Sequence, residues 1–351
     1  MKSLLCCSIA TALMASSFLA SADVEQRLKQ LEKEIEQIRK ESVATSSPSK
    51  VTLYGSFRPV LTAEDDGNDT ALDVRDALSR FGMKGSTSLG ESTEAYFVGE
   101  WKVKIQDAGD IDGTRLAHVG VRGRYGDVAI GTQRPPHYTL IAEHVDIFNH
   151  ASSPYAYDQI GPFFIDNSVT YSHSIAGLDF KAAVRSDGPS GEDAQDMLNV
   201  GLGFNQQNFY LGVAYLKLTQ PGTATEEPGD EQTLLATAAS ATLGDLYVAA
   251  AYQNTEIEPE AGGDSVEGST LDVSLAYALA SGYKVKAGVF DYDDGVDGGA
   301  SAKFMGYNLT LERQLADNVR VHAEYLSKDI EEADTINALT LGIRYDFSAD
   351  L

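Results

Sequence analysis

The feature that most limits the fold of this chain is an alternation of apolar and polar residues with a period of two, from residue 50 to residue 347. In the first segment, 50–58, Val, Leu, Gly and Phe occupy one face, whereas Thr, Tyr, Ser and Arg occupy the other. This period predicts half-buried strands, because successive side chains of a strand point to opposite faces. Sixteen such segments occur, at about 50–60, 78–87, 92–104, 113–123, 127–134, 165–174, 178–186, 197–205, 208–218, 232–242, 246–255, 269–279, 283–292, 302–313, 318–328 and 336–347. An even number of strands suits a closed antiparallel barrel.

The connections between these segments alternate in length. Links of about three residues alternate with long acidic loops, which we place at 62–77, 219–231, 256–268 and 291–300. Outer-membrane barrels combine short turns at one end with longer loops at the other, and strands of ~9–11 residues cross a bilayer at a tilt. The pattern therefore predicts an all-β transmembrane barrel of sixteen antiparallel strands over residues 50–351.

The first 22 residues have the composition of an export signal. Lys2 precedes an apolar run over 4–19, and Ala20-Ser21-Ala22 stands before Asp23, which matches the charged, hydrophobic and small-residue regions of a signal peptide. We expect cleavage after Ala22. A retained membrane anchor is the alternative, and it is disfavoured because the run is shorter than the ~20 residues that a spanning helix needs.

The composition of the remaining chain excludes several classes of function. Cleavage would remove one lysine and no acidic residue, which changes the formal net charge from −25 to −26, and it would remove both cysteines. Binding to a nucleic acid relies on Lys and Arg at the phosphates, so this charge argues against it. Without cysteine the chain has no disulfide framework, zinc–cysteine site or thiol nucleophile.

A short amphipathic helix precedes the barrel. Apolar residues at 24, 28, 31, 35 and 38 form an a/d seam within residues 23–42, which predicts a coiled coil. Two heptads are few for a coiled coil, so a solitary helix or spacer is the alternative. Residues 43–49 lack periodicity and contain Pro48, which is typical of a linker.

Several strand segments carry motifs of a known family. SRFGMKGSTSLG at 79–90 and EAYFVGEWK at 94–102 resemble the second and third strands of the trimeric general diffusion porins of Gram-negative outer membranes. Further matches follow in order at VTLYG (51–55), TRLAHVG (114–120), GDVAIG (126–131) and DNSVTY (166–171). The resemblance implies a homotrimer in the outer membrane, in contact with lipid and lipopolysaccharide. It also implies that each barrel holds a water-filled pore for ions and small hydrophilic solutes, narrowed by loop 135–164 folded inward.

The phase of the alternation places four basic residues, Arg58, Arg80, Lys84 and Arg115, on lumen-facing positions. A charge that faced lipid near the midplane would cost ~2–4 kcal/mol, so the lumen is where these cations are expected. In the family, such residues face acidic groups of the inward loop across the narrowest section. Arg134, at the root of the loop, is a weaker addition.

The resemblance implies that the acidic partners come from Glu143, Asp146 and Asp158 on the loop. Asp166 is placed on the lumen-facing phase of its strand. Phe164 departs from the family, because many relatives carry an arginine two residues before the DNS segment. Since one basic group is then missing and rings of Asp or Glu select cations, we hypothesise a preference for cations.

An enzyme is one alternative, but the six histidines show no metal-ligand spacing, and no nucleophile-elbow motif is present. We therefore expect no catalysis, no metal and no cofactor. A substrate-selective channel or an adhesive surface protein on the same barrel is the other alternative. Tyr54 and Tyr96 point inward by phase but are scattered, and Trp101 points outward, so general diffusion is favoured over a specific channel.

Overall fold

The computed structural model describes residues 29, 33, 50–90, 92–149, 156–186, 196–219, 230–296 and 302–351, with the backbone alone for Asp158. Of the predicted helix at 23–42, only Lys29 and Lys33 belong to this part of the chain, and both are helical and exposed. The predicted signal peptide, the apolar seam and the linker at 43–49 lie outside the described residues.

The described residues form one antiparallel sheet of eighteen strand segments. In chain order they are β1 (Lys50–Phe57), β2 (Pro59–Asp65), β3 (Thr70–Asp76), β4 (Arg80–Gly90), β5 (Thr93–Lys104), β6 (Asp110–Gly123), β7 (Gly126–Gln133), β8 (Ile165–Ile175), β9 (Leu178–Arg185), β10 (Met197–Gln206), β11 (Phe209–Thr219), β12 (Glu231–Leu243), β13 (Leu246–Glu258), β14 (Val266–Ala278), β15 (Tyr283–Asp293), β16 (Phe304–Ala316), β17 (Val319–Ile330) and β18 (Ile336–Asp350). Each segment pairs with its neighbours, and β18 closes the ring by pairing with β1 and β2.

The eighteen segments make sixteen barrel strands. β1 and β2 are the two halves of one strand, because both pair with β18. β3 and β4 are likewise the halves of the next strand, since β3 pairs with β2 and β4 pairs with β1. The prediction of a closed, antiparallel, sixteen-stranded all-β barrel is therefore confirmed.

One predicted connection is wrong. Most of the supposed long loop at 62–77 is strand, and a tight turn at 66–69 joins β2 to β3. The Asp66 carboxylate accepts the backbone N–H groups of Asn68 and Asp69, each at 2.9 Å, and these bonds lower the pKa of Asp66. This Asx turn folds the acidic run back on itself, so β2 and β3 pair as a hairpin.

The outer face of the barrel is apolar. The exposed large hydrophobic side chains include Val119, Ile130, Leu202 and Leu309, which alternate with inward residues along their strands. Phe81 and Trp101 stack on this face with ring centroids 5.4 Å apart. A barrel that spans a membrane needs an apolar outer belt because its outer side chains contact hydrocarbon. Closure of the sheet meets the second requirement, since it leaves no backbone edge unpaired. No helix among the described residues is long and apolar enough to cross a membrane.

An apolar core lies inside the barrel. There, the described parts of loop 135–164 pack against the inner faces of the strands from β9 to β15. Ala236, Ala238, Ala249 and Ala251 are all buried against this core. This packing explains why the alanine-rich segment at 232–242 shows no clear polar face: its inward side chains meet the loop and not water.

Candidate pore constriction

A cavity of about 1170 Å³ remains between loop 135–164 and the opposite wall of the barrel. Among the described residues, nine basic and four acidic side chains line it. The basic ones are Arg58, Arg80, Lys102, Arg115, Arg134, Lys284, Lys286, Arg320 and Arg344; the acidic ones are Glu100, Asp112, Glu143 and Asp146. The loop therefore narrows the lumen without filling it.

The loop begins with a short helix, α1 (Pro136–Leu140), followed by 3-10 turns at Ala142–His144 and Ala156–Gln159. Leu140, which is 2% exposed, sits over glycines of β10 and β11. A Cβ at Gly201 would lie 2.6 Å from the Leu140 Cδ1, and one at Gly212 would lie 2.5 Å from its carbonyl oxygen. The backbone contact at Gly212 therefore requires glycine for the loop to lie this close to the wall, whereas at Gly201 the tip of the Leu140 side chain would have to shift.

Side chains of the wall hold the loop backbone in place. Four carbonyl oxygens of the loop each accept one hydrogen bond from a different strand: Leu140 from Tyr210 (2.7 Å), His144 from Tyr247 (2.7 Å), Val145 from Ser274 (2.8 Å) and Ile147 from Lys286 (2.8 Å). The donors lie on β11, β13, β14 and β15. Because the loop would otherwise bury these carbonyls without partners, the bonds fix its path across the lumen.

Carboxylates of the wall hold the next part of the loop. The Asn149 side-chain amide donates to Glu312 at 2.9 Å, and the Asn149 backbone N–H donates to Glu324 at 3.2 Å. Glu312 also pairs with Lys286 at 3.0 Å, and both side chains are less than a tenth exposed. Further along the chain, the Ala156 backbone N–H donates to the Asp272 carboxylate at 3.1 Å.

Two histidines of the loop are held neutral by burial. His144 stacks on Tyr210 with ring centroids 3.7 Å apart, and burial, with a smaller contribution from Lys181, lowers its pKa to about 4. His137 is buried, and desolvation lowers its pKa to about 4 as well. Both rings therefore pack as neutral groups near pH 7, which suits an anchoring role.

The predicted acidic residues do not all meet at the cavity. Glu143 and Asp146 line it from the loop, and Asp146 accepts a hydrogen bond from the Tyr138 hydroxyl at 2.7 Å. Asp166 is not among the lining residues; its exposed carboxylate lies 3.3 Å from Arg185. The side chain of Asp158 lies outside the described residues.

Three of the four predicted basic residues line the cavity: Arg58, Arg80 and Arg115. The Arg115 Nε donates to Glu100 at 2.7 Å, and the Arg80 Nε lies 3.8 Å from the same carboxylate. Lys84 is not among the lining residues, and its ammonium group sits 5.6 Å from the centroid of the Tyr54 ring.

Arg58 occupies the break between β1 and β2. Its backbone N–H donates to the Ser79 hydroxyl at 2.7 Å, and its carbonyl accepts from the Ala77 N–H at 2.9 Å. Leu78, between these partners, has a φ of +67°. The breaks in the first two barrel strands thus lie side by side, where Arg58 and Leu78 face the cavity.

Phe164 stands at the position where the resemblance to porins predicts an arginine, and it lines the same cavity. Its ring centroid lies 4.9 Å from the Arg115 guanidinium and 4.5 Å from that of Arg134. The Arg134 guanidinium carbon also lies 3.9 Å from the centroid of the Tyr138 ring. The Phe164 ring thus contacts two guanidinium groups, and cation–π attraction favours both contacts.

Five of the lining cations were not among the predicted site residues: Lys102, Lys284, Lys286, Arg320 and Arg344. The signal that could have identified them is the same period of two. Arg344, for example, stands between the outward residues Ile343 and Tyr345. Among the described residues, no group of three or more His, Cys, Asp or Glu side chains is placed to hold a metal ion.

Several solved structures share this architecture. The anion-selective porin from Comamonas acidovorans is 16% identical, with a TM-score of 0.71, and the match covers 86% of this chain and 100% of that one. A trimer form of OmpT from Vibrio cholerae is 18% identical, with a TM-score of 0.69 and coverage of 86% and 100%. OmpF from Salmonella typhi, in complex with daunomycin, is 17% identical, with a TM-score of 0.66 and coverage of 85% and 97%.

These identities show a shared fold. A search of curated proteins finds no match to the chain. The family model for Gram-negative porins, however, matches residues 10–333, which is most of the sequence. A closed barrel with an apolar belt and an inward loop agrees with that match, and the chain therefore belongs to the Gram-negative porin family.

Proposed function

We propose that this protein is a passive diffusion channel of the outer membrane, which admits ions and small hydrophilic solutes. The observation that carries the proposal is the cavity of about 1170 Å³ left between the anchored loop and the basic wall. Family membership and the closed barrel support an outer-membrane channel. Solutes would pass the mouth, cross the narrowing and leave on the other side without energy coupling, and the proposal includes no catalytic step.

The charge selectivity of the pore has two candidate answers. The cation preference hypothesised from the sequence rests on the missing arginine at Phe164, on the net charge and on Asp166, and Asp166 is not among the lining residues. The lining favours the opposite preference, since nine basic and four acidic side chains of the described residues meet there. Because charges that line the narrowest section act on a passing ion at short range, we place anion preference first.

The assembly is part of the same proposal. A homotrimer, each barrel with its own pore, in contact with outer-membrane lipid and lipopolysaccharide, is consistent with family membership and with a trimeric OmpT of the same fold. The helix at 23–42 is proposed to lie in the periplasm, where it could associate across the trimer through its a/d seam.

The test is planar-bilayer conductance of the purified protein, with the reversal potential measured under a KCl gradient. Conductance steps in groups of three, with an anion-selective potential, would support the proposal as a whole. Arg80→Ala should shift the potential toward cations. A cation-selective wild-type channel would restore the first hypothesis, and a folded barrel that gives no steps would refute the channel itself.

A further inference from the structure

A furrow runs along β17 on the outer face of the barrel. Its volume is about 680 Å³, and sites for small molecules typically measure about 300–1000 Å³. On the register of the sheet, Ala323 stands between Leu311 of β16 and Leu341 of β18. Because a single methyl group lies between two leucines of neighbouring strands, the apolar belt is depressed here, with Ala323 as the floor and the leucines as the walls.

The furrow faces away from the pore. Glu312 stands between Leu311 and Arg313, and it accepts a hydrogen bond from Asn149 of the inward loop, so it points into the lumen. The pairing of β16 with β17 is regular from Phe304 to Gln314. Since successive side chains of a strand point to opposite faces, Leu311 and Arg313 both point outward.

One end of the furrow carries a cation without an acidic partner. Arg313 is among the lining residues and lies opposite Tyr283 of β15, with its guanidinium carbon 5.0 Å from the centroid of the Tyr283 ring. In the described part of the chain, its side chain forms neither an ion pair nor a hydrogen bond. The donors of the guanidinium are therefore free to bind a ligand from outside the barrel.

The height of Arg313 along its strand places it near the surface of the membrane. β16 ends at Ala316 and β17 begins at Val319, so Arg313 lies three residues before a short turn. The short turns of outer-membrane barrels lie on the periplasmic side. A lipid-facing arginine is costly at the midplane but not near the interface, where aromatic residues such as Tyr283 are also enriched. Arg313 thus lies at the level of the periplasmic headgroups.

Two other features of the outer face lack this combination. Lys217 also points outward, because its neighbours Leu216 and Leu218 belong to the inner core, but it pairs with Glu231 at 2.6 Å. A second furrow, of about 540 Å³, crosses the strands from β9 to β14, and none of its lining residues within the described ranges is charged. The furrow on β17 therefore combines an apolar depression with a free cation.

We infer that this furrow binds a phospholipid of the periplasmic leaflet, with the headgroup phosphate on Arg313 and one acyl chain along Ala323. A guanidinium donates to two phosphate oxygens at once, and the acyl chain covers the apolar walls. Lipopolysaccharide has the same two chemical parts, but it lies in the opposite leaflet, beside the long loops. Charge and position together therefore favour the phospholipid, at a site outside the pore that adds lipid binding to the proposed channel.

Native mass spectrometry of the delipidated protein in detergent counts the lipids that each chain retains. We expect saturable retention of one phosphatidylglycerol per chain, and retention at least tenfold weaker for diacylglycerol with the same acyl chains, which lacks the phosphate. Arg313→Gln should weaken the retention of phosphatidylglycerol about tenfold or more, because charge-assisted hydrogen bonds are lost. Lys217→Gln is the matched control, since Lys217 is an outward cation with its own carboxylate, and it should retain the lipid as the wild type does.

A second pair of variants tests the furrow without altering a charge. Ala323→Phe fills the floor and leaves Arg313 in place, so it should also weaken retention about tenfold or more. Ala239→Phe adds the same bulk to the uncharged furrow and should have no effect. Both alanines point outward between inward neighbours, so neither substitution changes the inner face of the barrel.

Loss of retention in Arg313→Gln and Ala323→Phe alone supports the lipid site. A wild type that retains no phospholipid, an equal loss in the control variants, or preferential retention of lipopolysaccharide through Arg313 overturns it. The same spectra count the chains in each particle, and a trimer that Ala323→Phe disrupts, without phospholipid on the wild type, would assign the furrow to a second copy and overturn the inference. Because binding in detergent needs no conduction, a protein that retains the lipid but gives no conductance steps would refute the proposed channel alone.

Discussion

The buried ion pair of Lys286 and Glu312 both anchors the loop and contributes to the stability of the folded barrel. Substitutions at these two positions can separate the anchoring effect from the effect on stability. Lys286→Met removes the donor to the Ile147 carbonyl and leaves Glu312 without its closest cation. At 3.0 Å and an effective dielectric of about 20, the Coulomb attraction of such a pair is about 5 kcal/mol, much of which desolvation offsets. Losing one partner of a buried pair costs about 3–5 kcal/mol, and Arg320 at 3.7 Å favours the lower end of this range.

The double variant Lys286→Met/Glu312→Leu removes the charge that the single variant leaves buried. Replacing a buried ion pair by apolar groups is often close to neutral, so most of the stability should return. What stays missing is the anchor of the loop, since Ile147 and Asn149 each lose a partner, which leaves a deficit of about 1–3 kcal/mol. The expected order of stability is therefore wild type, double variant, single variant.

Urea unfolding in detergent micelles, followed by the fluorescence of the single tryptophan, Trp101, measures this order. Single-channel recordings should show increased current fluctuations in both variants, because both remove the hydrogen bond to the Ile147 carbonyl. The fluctuations should be larger in the double variant, which also removes the partner of the Asn149 side chain. A single variant as stable as the wild type would refute the reasoning. So would a double variant that is less stable than the single one, since the cost would then not come from a stranded charge.

Three further predictions concern the loop. Deleting residues 142–161 should raise single-channel conductance, and an unchanged value would show that the segment does not narrow the lumen. Burial lowers the pKa of His144 from 6.5 to about 4, so the unfolded state binds a proton first as the pH falls. The stability of the loop should therefore decline between pH 6.5 and 4. His144→Asn should reduce this pH dependence in unfolding measurements. Gly212→Val should displace the Leu140 carbonyl, which should lower the free energy of unfolding by about 1–3 kcal/mol and alter the conductance. Wild-type values for both quantities would contradict the packing argument.

The strand pattern could be predicted because the two faces of a membrane barrel meet different solvents. Lipid outside favours apolar side chains and water inside favours polar ones, so successive residues alternate wherever the inner face contacts water. The alternation is less clear at 232–242, because the inner alanines there face the loop and not water. It was wrong for 70–76, because an acidic turn at 66–69 concealed a short hairpin.

The charged residues were predicted less completely than the strands. Arg58, Arg80 and Arg115 could be placed in the lumen by phase, but phase does not give height along the barrel, so Lys84 and Asp166 could not be separated from the residues that line the cavity. Arg320 and Arg344 meet Arg58 only through the pairing of the last strands with the first. That closure joins residues more than 260 positions apart, which no local pattern reveals.

The anchor of the loop and the row formed by Arg58, Arg344 and Arg320 on the pore wall occupy largely different strands. Most of the bonds that hold the loop come from β11 to β16, whereas the row lies on β17, β18 and the break after β1. Substitutions in the row can therefore alter which solutes the pore favours while the bonds that keep it open at a fixed width stay intact. During evolution, single substitutions of these arginines could therefore change the solute preference of the pore while the loop and its anchoring bonds stay the same.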